Sequence, residues 1–135
     1  MRLQIAYSKR DERSAIEIIN ALSSLNYELD VTNSKLLDEK TVTIVLFSTS
    51  TEENELLNEL PWLKKERMRS NVRHLKVMPL FVYHSKREDP EKEFDKNVGM
   101  LYEDIFSTEF KPYGWDFDSE APEREFPLIL EQYSE

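Results

Sequence analysis

The chain has no cysteine among its 135 residues. That absence removes a thiol nucleophile, a disulfide framework and a cysteine-type zinc site together. Glycine occurs only at Gly99 and Gly114. A Walker loop and a GxGxxG fingerprint each need several glycines where the backbone closes on phosphate, so both are excluded. No apolar run approaches the roughly 18 residues that cross a bilayer, and the opening MRLQIAYSKR lacks the apolar h-region of a signal peptide. The expectation is a cytoplasmic protein with no membrane partner. Positive charge is also short, with 18 Lys and Arg against 27 Asp and Glu, a formal net charge of -9 and a pI near 4.8. A summed negative potential repels phosphate-rich polymers, so no nucleic-acid partner is expected either. The one dense cationic cluster, Lys64, Lys65, Arg67, Arg69 and Arg73, reads first as a solvated helix face.

What is present suits a single domain over residues 1–135, since 39% hydrophobic content supports one core. Residues 3–7 read as a first strand. Ala15, Ile16, Ile18, Ile19, Ala21, Leu22 and Leu25 then recur at three and four residues, which predicts an amphipathic helix capped by Asp11 or Ser8. Residues 27–31 alternate as a short half-buried strand. Residues 41–47 are β-branched and almost wholly apolar, as a central strand covered on both faces requires. Ser48 to Thr51 supply caps for a helix carrying Leu56, Leu57, Leu60 and Leu63, and Pro61 either kinks that helix or opens a second one. Residues 77–83 are a further strand, where Pro79 points to an edge or a bulge. Phe94, Val98, Leu101, Tyr102, Ile105 and Phe106 keep helical spacing, residues 111–115 read as a turn, and residues 123–133 as a terminal helix limited by Pro127.

Strands alternating with helices predict an α/β fold with a mainly parallel sheet. Ligands of such sheets sit beyond the carboxyl ends of the strands, here around residues 8–11, 31–37, 48–50 and 83–86. No aspartate ends the first or third strand where a phosphoacceptor domain needs one. No GxSxG elbow supports a Ser/His/Asp triad, His74 and His84 read as solvated loop positions, and no spacing is diagnostic of a metal. Glu59, Trp62 and Glu66 remain. On an unbroken helix they share one stripe at the margin of the buried face. A carboxylate there is either a surface partner for Lys or Arg, or a partly desolvated group that hydrogen-bonds a ligand hydroxyl.

The order of several short pieces narrows the expectation. Gln4-Ile5-Ala6-Tyr7-Ser8-Lys9-Arg10-Asp11-Glu12 carries an apolar-x-Tyr-Ser-x-x-Asp box after a strand. Residues 42–48 form a strand ending in Ser48, Pro61-Trp62-Leu63-Lys64-Lys65-Glu66 opens a helix, and Val77-Met78-Pro79-Leu80-Phe81 is a strand with a proline. Over roughly residues 2–84 this succession resembles the Toll/interleukin-1 receptor (TIR) domains. The resemblance implies a flavodoxin-like three-layer sandwich on a mainly parallel sheet of four to five strands. It implies a signalling or defence module acting through a protein partner or self-association, with no required cofactor and with a nicotinamide-adenine-type nucleotide as ligand.

In TIR proteins that cleave NAD, the glutamate four residues after the tryptophan is catalytic, which corresponds here to Glu66. The alternative function implied is therefore an NAD nucleosidase with NAD as substrate. A carboxylate suits that role because breaking the nicotinamide–ribose bond builds oxocarbenium character. The stretch from Ser48 to Trp62 is longer than in the family, which makes Glu59 a rival for the same role. The resemblance further marks Tyr7, Ser8, Arg10, Asp11, Ser48 and Trp62 as nucleotide contacts. The connection from residue 31 to 41 is shorter than the family's BB loop and second helix.

Overall fold

A computed structural model of the chain describes residues 2–33, 41–63, 77–87 and 113–134. β1 (Arg2–Ala6) leads through a 3-10 turn (Lys9–Asp11) into α1 (Glu12–Ser23), followed by β2 (Glu28–Asp30), β3 (Val42–Phe47), α2 (Glu53–Glu59), β4 (Val77–Tyr83) and β5 (Tyr113–Asp116). A second 3-10 turn (Pro122–Arg124) precedes α3 (Phe126–Ser134). Asn26 takes a φ of 61° between α1 and β2, a left-handed position that asparagine tolerates better than most residues.

All five strands are parallel and stand in the order β2-β1-β3-β4-β5. This is the flavodoxin-like order, with helices on both faces. The chain leaves β1 toward β2 on one side and resumes with β3 on the other, so the topology reverses between β1 and β3, which pair from Leu3↔Val42 to Ala6↔Val45.

Alternation along each strand sorts the side chains into two layers. Ala6, Val45, Phe47, Val77 and Phe81 meet Leu56, Leu57, Leu60, Trp62 and Leu63 on one face. On the other, Leu3, Ile5, Ile44, Leu46, Leu80 and Trp115 meet Ala15, Ile18 and Leu22 of α1 and Phe126 and Leu130 of α3. Cover on both sides explains why all six β3 positions are buried and why its sequence runs apolar instead of alternating. Its one polar residue, Thr43, donates to Gln4 Oε1 at 3.0 Å, and Gln4 Nε2 donates to the Thr32 carbonyl at 2.7 Å. Burial of those groups is thereby compensated.

Two expectations need correction. Pro79 does not mark an edge, because β4 pairs with β3 and with β5. Among the described residues the β5 ladder runs from Leu80↔Tyr113, and Pro79 enters the β3 ladder, opposite Val45. Residues 113–116 are not a turn but a strand. Gly114 is used there because a Cβ would lie 3.2 Å from the Tyr83 ring, and Trp115 turns inward onto Phe126 in an edge-to-face contact of 5.8 Å. Pro127 limits the last helix as expected, at its start: the helix is short, nine residues from Phe126 to Ser134. The proline occupies the second position of α3, where no intrahelical amide donor is needed. Pro61 follows the second of its two alternatives: Leu60 leaves helical geometry at φ -118°, ψ 72°, and residue 61 opens a new helical stretch. The helix expected around residues 94–106 and the cationic cluster at 64–73 lie outside the described residues.

No described helix is long and apolar enough to cross a membrane. Trp115 is 1% exposed and joins β5 to α3, whereas Leu128 on α3 is 65% exposed. Trp115→Ala is expected to cost about 3–5 kcal/mol and Leu128→Ala less than about 0.5 kcal/mol, as measured by urea unfolding.

Candidate functional site

The carboxyl ends of β1 and β3 release two polar loops side by side at the switch point. Asp11 is in the N-cap position of α1, yet its side chain makes no capping bond. It turns instead across the reversal toward the loop after β3. Ser48 Oγ donates to Asp11 Oδ1 at 2.6 Å and Thr51 Oγ1 donates to Oδ2 at 2.5 Å. The second loop is itself closed by Ser48 N–H donating to Thr51 Oγ1 at 2.8 Å and Ser50 N–H to Ser48 Oγ at 3.1 Å. Asp11 is 4% exposed. Burial raises its pKa above the ordinary carboxylate value, against the opposing pull of the Ser48 and Thr51 hydroxyls and the nearby Arg10 charge.

Beside this tie lies an open cleft of about 520 Å³, lined by Ser8, Lys9, Arg10, Glu55, Asn58 and Glu59. Glu55 and Glu59 are one turn apart on α2, so both reach the same side. Arg10 donates through Nε to Glu55 Oε2 at 2.8 Å and through Nη2 to Oε1 at 2.7 Å. That fork holds the Glu55 carboxyl below its usual range, chiefly by hydrogen bonding. Lys9 N–H donates to the Glu59 carboxylate at 3.1 and 3.3 Å. Ser8 is fully buried, and its Oγ is the one buried polar side-chain atom without a hydrogen-bond partner among the described residues.

The residues marked on the sequence divide accordingly. Ser8, Arg10 and Glu59 line the cleft, and Asp11 and Ser48 form the tie beside it. Tyr7 is not a lining residue; it packs against the α1 layer, with its N–H and carbonyl bonded to the Asn33 side chain at 3.1 and 2.9 Å. Trp62 is 8% exposed in the opposite layer, and its indole N–H donates to the Asn33 carbonyl at 2.9 Å. Asn33 thus clasps β1 from one side and Trp62 from the other. The break at Leu60 removes the common stripe expected for Glu59, Trp62 and Glu66, and Glu66 lies outside the described residues. Thr51, Glu55 and Asn33 were missed. The i,i+4 spacing of Glu55 and Glu59 is legible in the sequence, but their convergence on Lys9 and Arg10 is a product of topology.

A second pair of loops is tied at the ends of β4 and β5. Asp116 Oδ1 accepts from Ser85 N–H at 3.1 Å and from Asp118 N–H at 2.9 Å, and Asp118 Oδ2 accepts from Lys86 N–H at 2.9 Å. His84 is half-buried, 3.4 Å from Asp118 and 4.9 Å from the Phe117 ring centroid. It is therefore more enclosed than the solvated position read from the sequence. No group of three or more potential metal-ligating side chains gathers among the described residues. No protein-family model matches the chain, and no curated protein matches it either.

Ser48→Ala leaves the buried Asp11 carboxylate with one donor fewer, and is expected to destabilise the fold by about 1–3 kcal/mol in urea unfolding. The pH trend has a definite sign. With its folded pKa raised above the ordinary carboxylate value, Asp11 binds a proton at higher pH in the folded chain than in the unfolded one. The penalty it carries at neutral pH is relieved as pH falls through the raised value, and is gone below the unfolded value. Relative to Asp11→Asn, the wild type should gain stability between pH 7 and pH 4, seen as a shift in the difference between their urea midpoints.

Proposed function

We propose that this chain is a TIR-like signalling or defence module, acting through a protein partner or self-association, which takes a nicotinamide-adenine-type nucleotide in the cleft between β1 and β3. The observation that carries the ligand half is an open cleft at the topological switch point in which the Glu59 carboxylate stands beside the loop after β1, with Ser8, Lys9 and Arg10 among its lining residues. A ribose diol supplies the complementary groups, since its hydroxyls donate to a carboxylate. The parallel β2-β1-β3-β4-β5 order supports the TIR-like reading, because it sets the Tyr7–Asp11 box and Ser48 on adjacent strand ends.

A second reading, NAD cleavage, is favoured by the same carboxylate. Water adds at the ribose C1′, the nicotinamide leaves with the electron pair of the C–N bond, and a proton is released. A carboxylate beside the ribose offsets the oxocarbenium charge of the transition state. Glu66 is the candidate for that role from the TIR resemblance, and Glu59 is the rival that the cleft contains.

Two measurements test the proposal. NAD is expected to raise the melting temperature of the purified chain, with the shift reduced in Glu59→Gln; no shift with NAD removes the ligand half. Nicotinamide release should fall by about tenfold or more in whichever of Glu66→Ala and Glu59→Gln removes the reacting carboxylate. Equal turnover in the wild type and both variants removes the catalytic reading. Light scattering that finds a single monomer, together with co-purification that finds no partner, removes the interaction half.

A further inference from the structure

Asn33 follows β2 and joins two parts of the molecule that no sequence spacing relates. Tyr7 N–H donates to its Oδ1 at 3.1 Å and its Nδ2 donates to the Tyr7 carbonyl at 2.9 Å, so one side-chain amide holds both backbone polar groups of the residue that follows β1. Its own backbone carbonyl accepts the Trp62 indole N–H at 2.9 Å. Tyr7 leads directly into Ser8, Lys9 and Arg10, which line the cleft. Trp62 shares an apolar layer with Leu56 and Leu57 of α2, and α2 carries Glu55 and Glu59, which line the same cleft.

We infer that Asn33, which is not itself a lining residue, is the positioning residue of this cleft: it fixes the loop after β1 against α2, and thereby sets the affinity for a ligand held between them, the ligand part resting on the nucleotide reading above. The contacts form a closed circuit. Lys9 N–H and Arg10 reach Glu59 and Glu55 on α2, α2 packs into the layer of Trp62, and Trp62 returns through Asn33 to Tyr7.

The two halves of the circuit differ in strength. At the cleft, the Arg10–Glu55 pair is exposed, with side chains 48% and 41% accessible, and such pairs contribute little. Behind it, Asn33 and Tyr7 are half-buried and Trp62 is 8% exposed, so their hydrogen bonds meet less competition from water. Asparagine suits the place because its amide offers a donor and an acceptor in one plane to the C=O and N–H of a single residue. Aspartate lacks the donor, and an apolar side chain lacks both.

Hydrogen exchange of the Lys9 amide reads the cleft side of the circuit with no ligand present. Asn33→Ala and Trp62→Phe each cut the circuit behind the cleft, and each is expected to speed that exchange by about three- to tenfold, the effect of roughly one lost hydrogen bond. Because both cut the same path, the double variant is expected to exchange no faster than the faster single variant. Leu130→Ala, buried in the opposite layer, is the control: its urea midpoint falls while its Lys9 exchange stays at the wild-type rate. Trp62→Phe keeps the apolar packing and carries the test alone where Asn33→Ala does not fold. Lys9 exchange no faster in these variants than in Leu130→Ala, or single effects that multiply in the double, overturns the inference. NAD binding, followed by heat, is expected to weaken by about three- to tenfold in Asn33→Ala. NAD binding that this substitution leaves unchanged overturns the inference and keeps the nucleotide reading. No NAD binding to the wild type, with Lys9 exchange accelerated as expected, sinks the nucleotide reading and keeps Asn33 as the residue that positions the cleft.

Discussion

One buried carboxylate joins the two halves of this sheet at its polar end. Asp11 leaves the cap position of α1 and accepts the hydroxyls of Ser48 and Thr51 from across the switch point. A carboxylate taken out of water is tolerated only when its lone pairs are occupied. Its position therefore requires that the loop after β3 fold back on itself, as the bonds from Ser48 N–H and Ser50 N–H show. Once that loop is closed, α2 starts in a defined place and its acidic turn faces the β1–α1 loop. The cleft is a consequence of this tie more than of any residue that lines it.

The same device recurs at the same carboxyl end of the sheet, toward its β5 edge. Asp116 and Asp118 bind the amides of Ser85 and Lys86, so the loops after β4 and β5 are also held by carboxylates on backbone donors. These bonds run between exposed or half-buried groups and need less compensation than Asp11 does. Of these three carboxylates only Asp11 has its pKa raised, because burial outweighs its hydrogen bonds, whereas at Asp116 and Asp118 the hydrogen bonds outweigh desolvation; that makes Asp11 the more sensitive point of the scaffold to pH and to substitution.

The layers were legible because their cause is local. The apolar spacing from Ala15 to Leu22 announces α1, and the unbroken β-branched run of β3 announces cover on both faces. Residues 113–116 were misread for an equally physical reason. Pro-Tyr-Gly-Trp is turn chemistry when taken alone, but residues 113–116 become a strand because Leu80 to Tyr83 offer a parallel ladder and because Gly114 lets the Tyr83 ring approach. Pro79 misled in the same way, since its place in an interior strand depends on where the neighbouring ladder begins. In the candidate site, Ser8, Arg10, Asp11, Ser48 and Glu59 were marked on the sequence, and all five stand at the switch point. Tyr7 and Trp62 were marked with them and are committed to packing and to Asn33.

By itself the sequence determined the alternation of strands and helices and the polar residues that follow β1 and β3, because each rests on spacing within about ten residues. It also excluded thiol chemistry and glycine-rich phosphate loops through what it lacks. Tertiary structure alone decided that Asp11 would face Ser48 and Thr51, that Glu55 would take Arg10, that Glu59 would take the Lys9 amide, and that Ser8 would be left unpartnered. Those pairs are separated by roughly 40 to 50 positions in the chain, and the distance between them is set by strand order. Hydrophobic periodicity does not encode strand order; it emerges when both faces of the sheet must be covered at once.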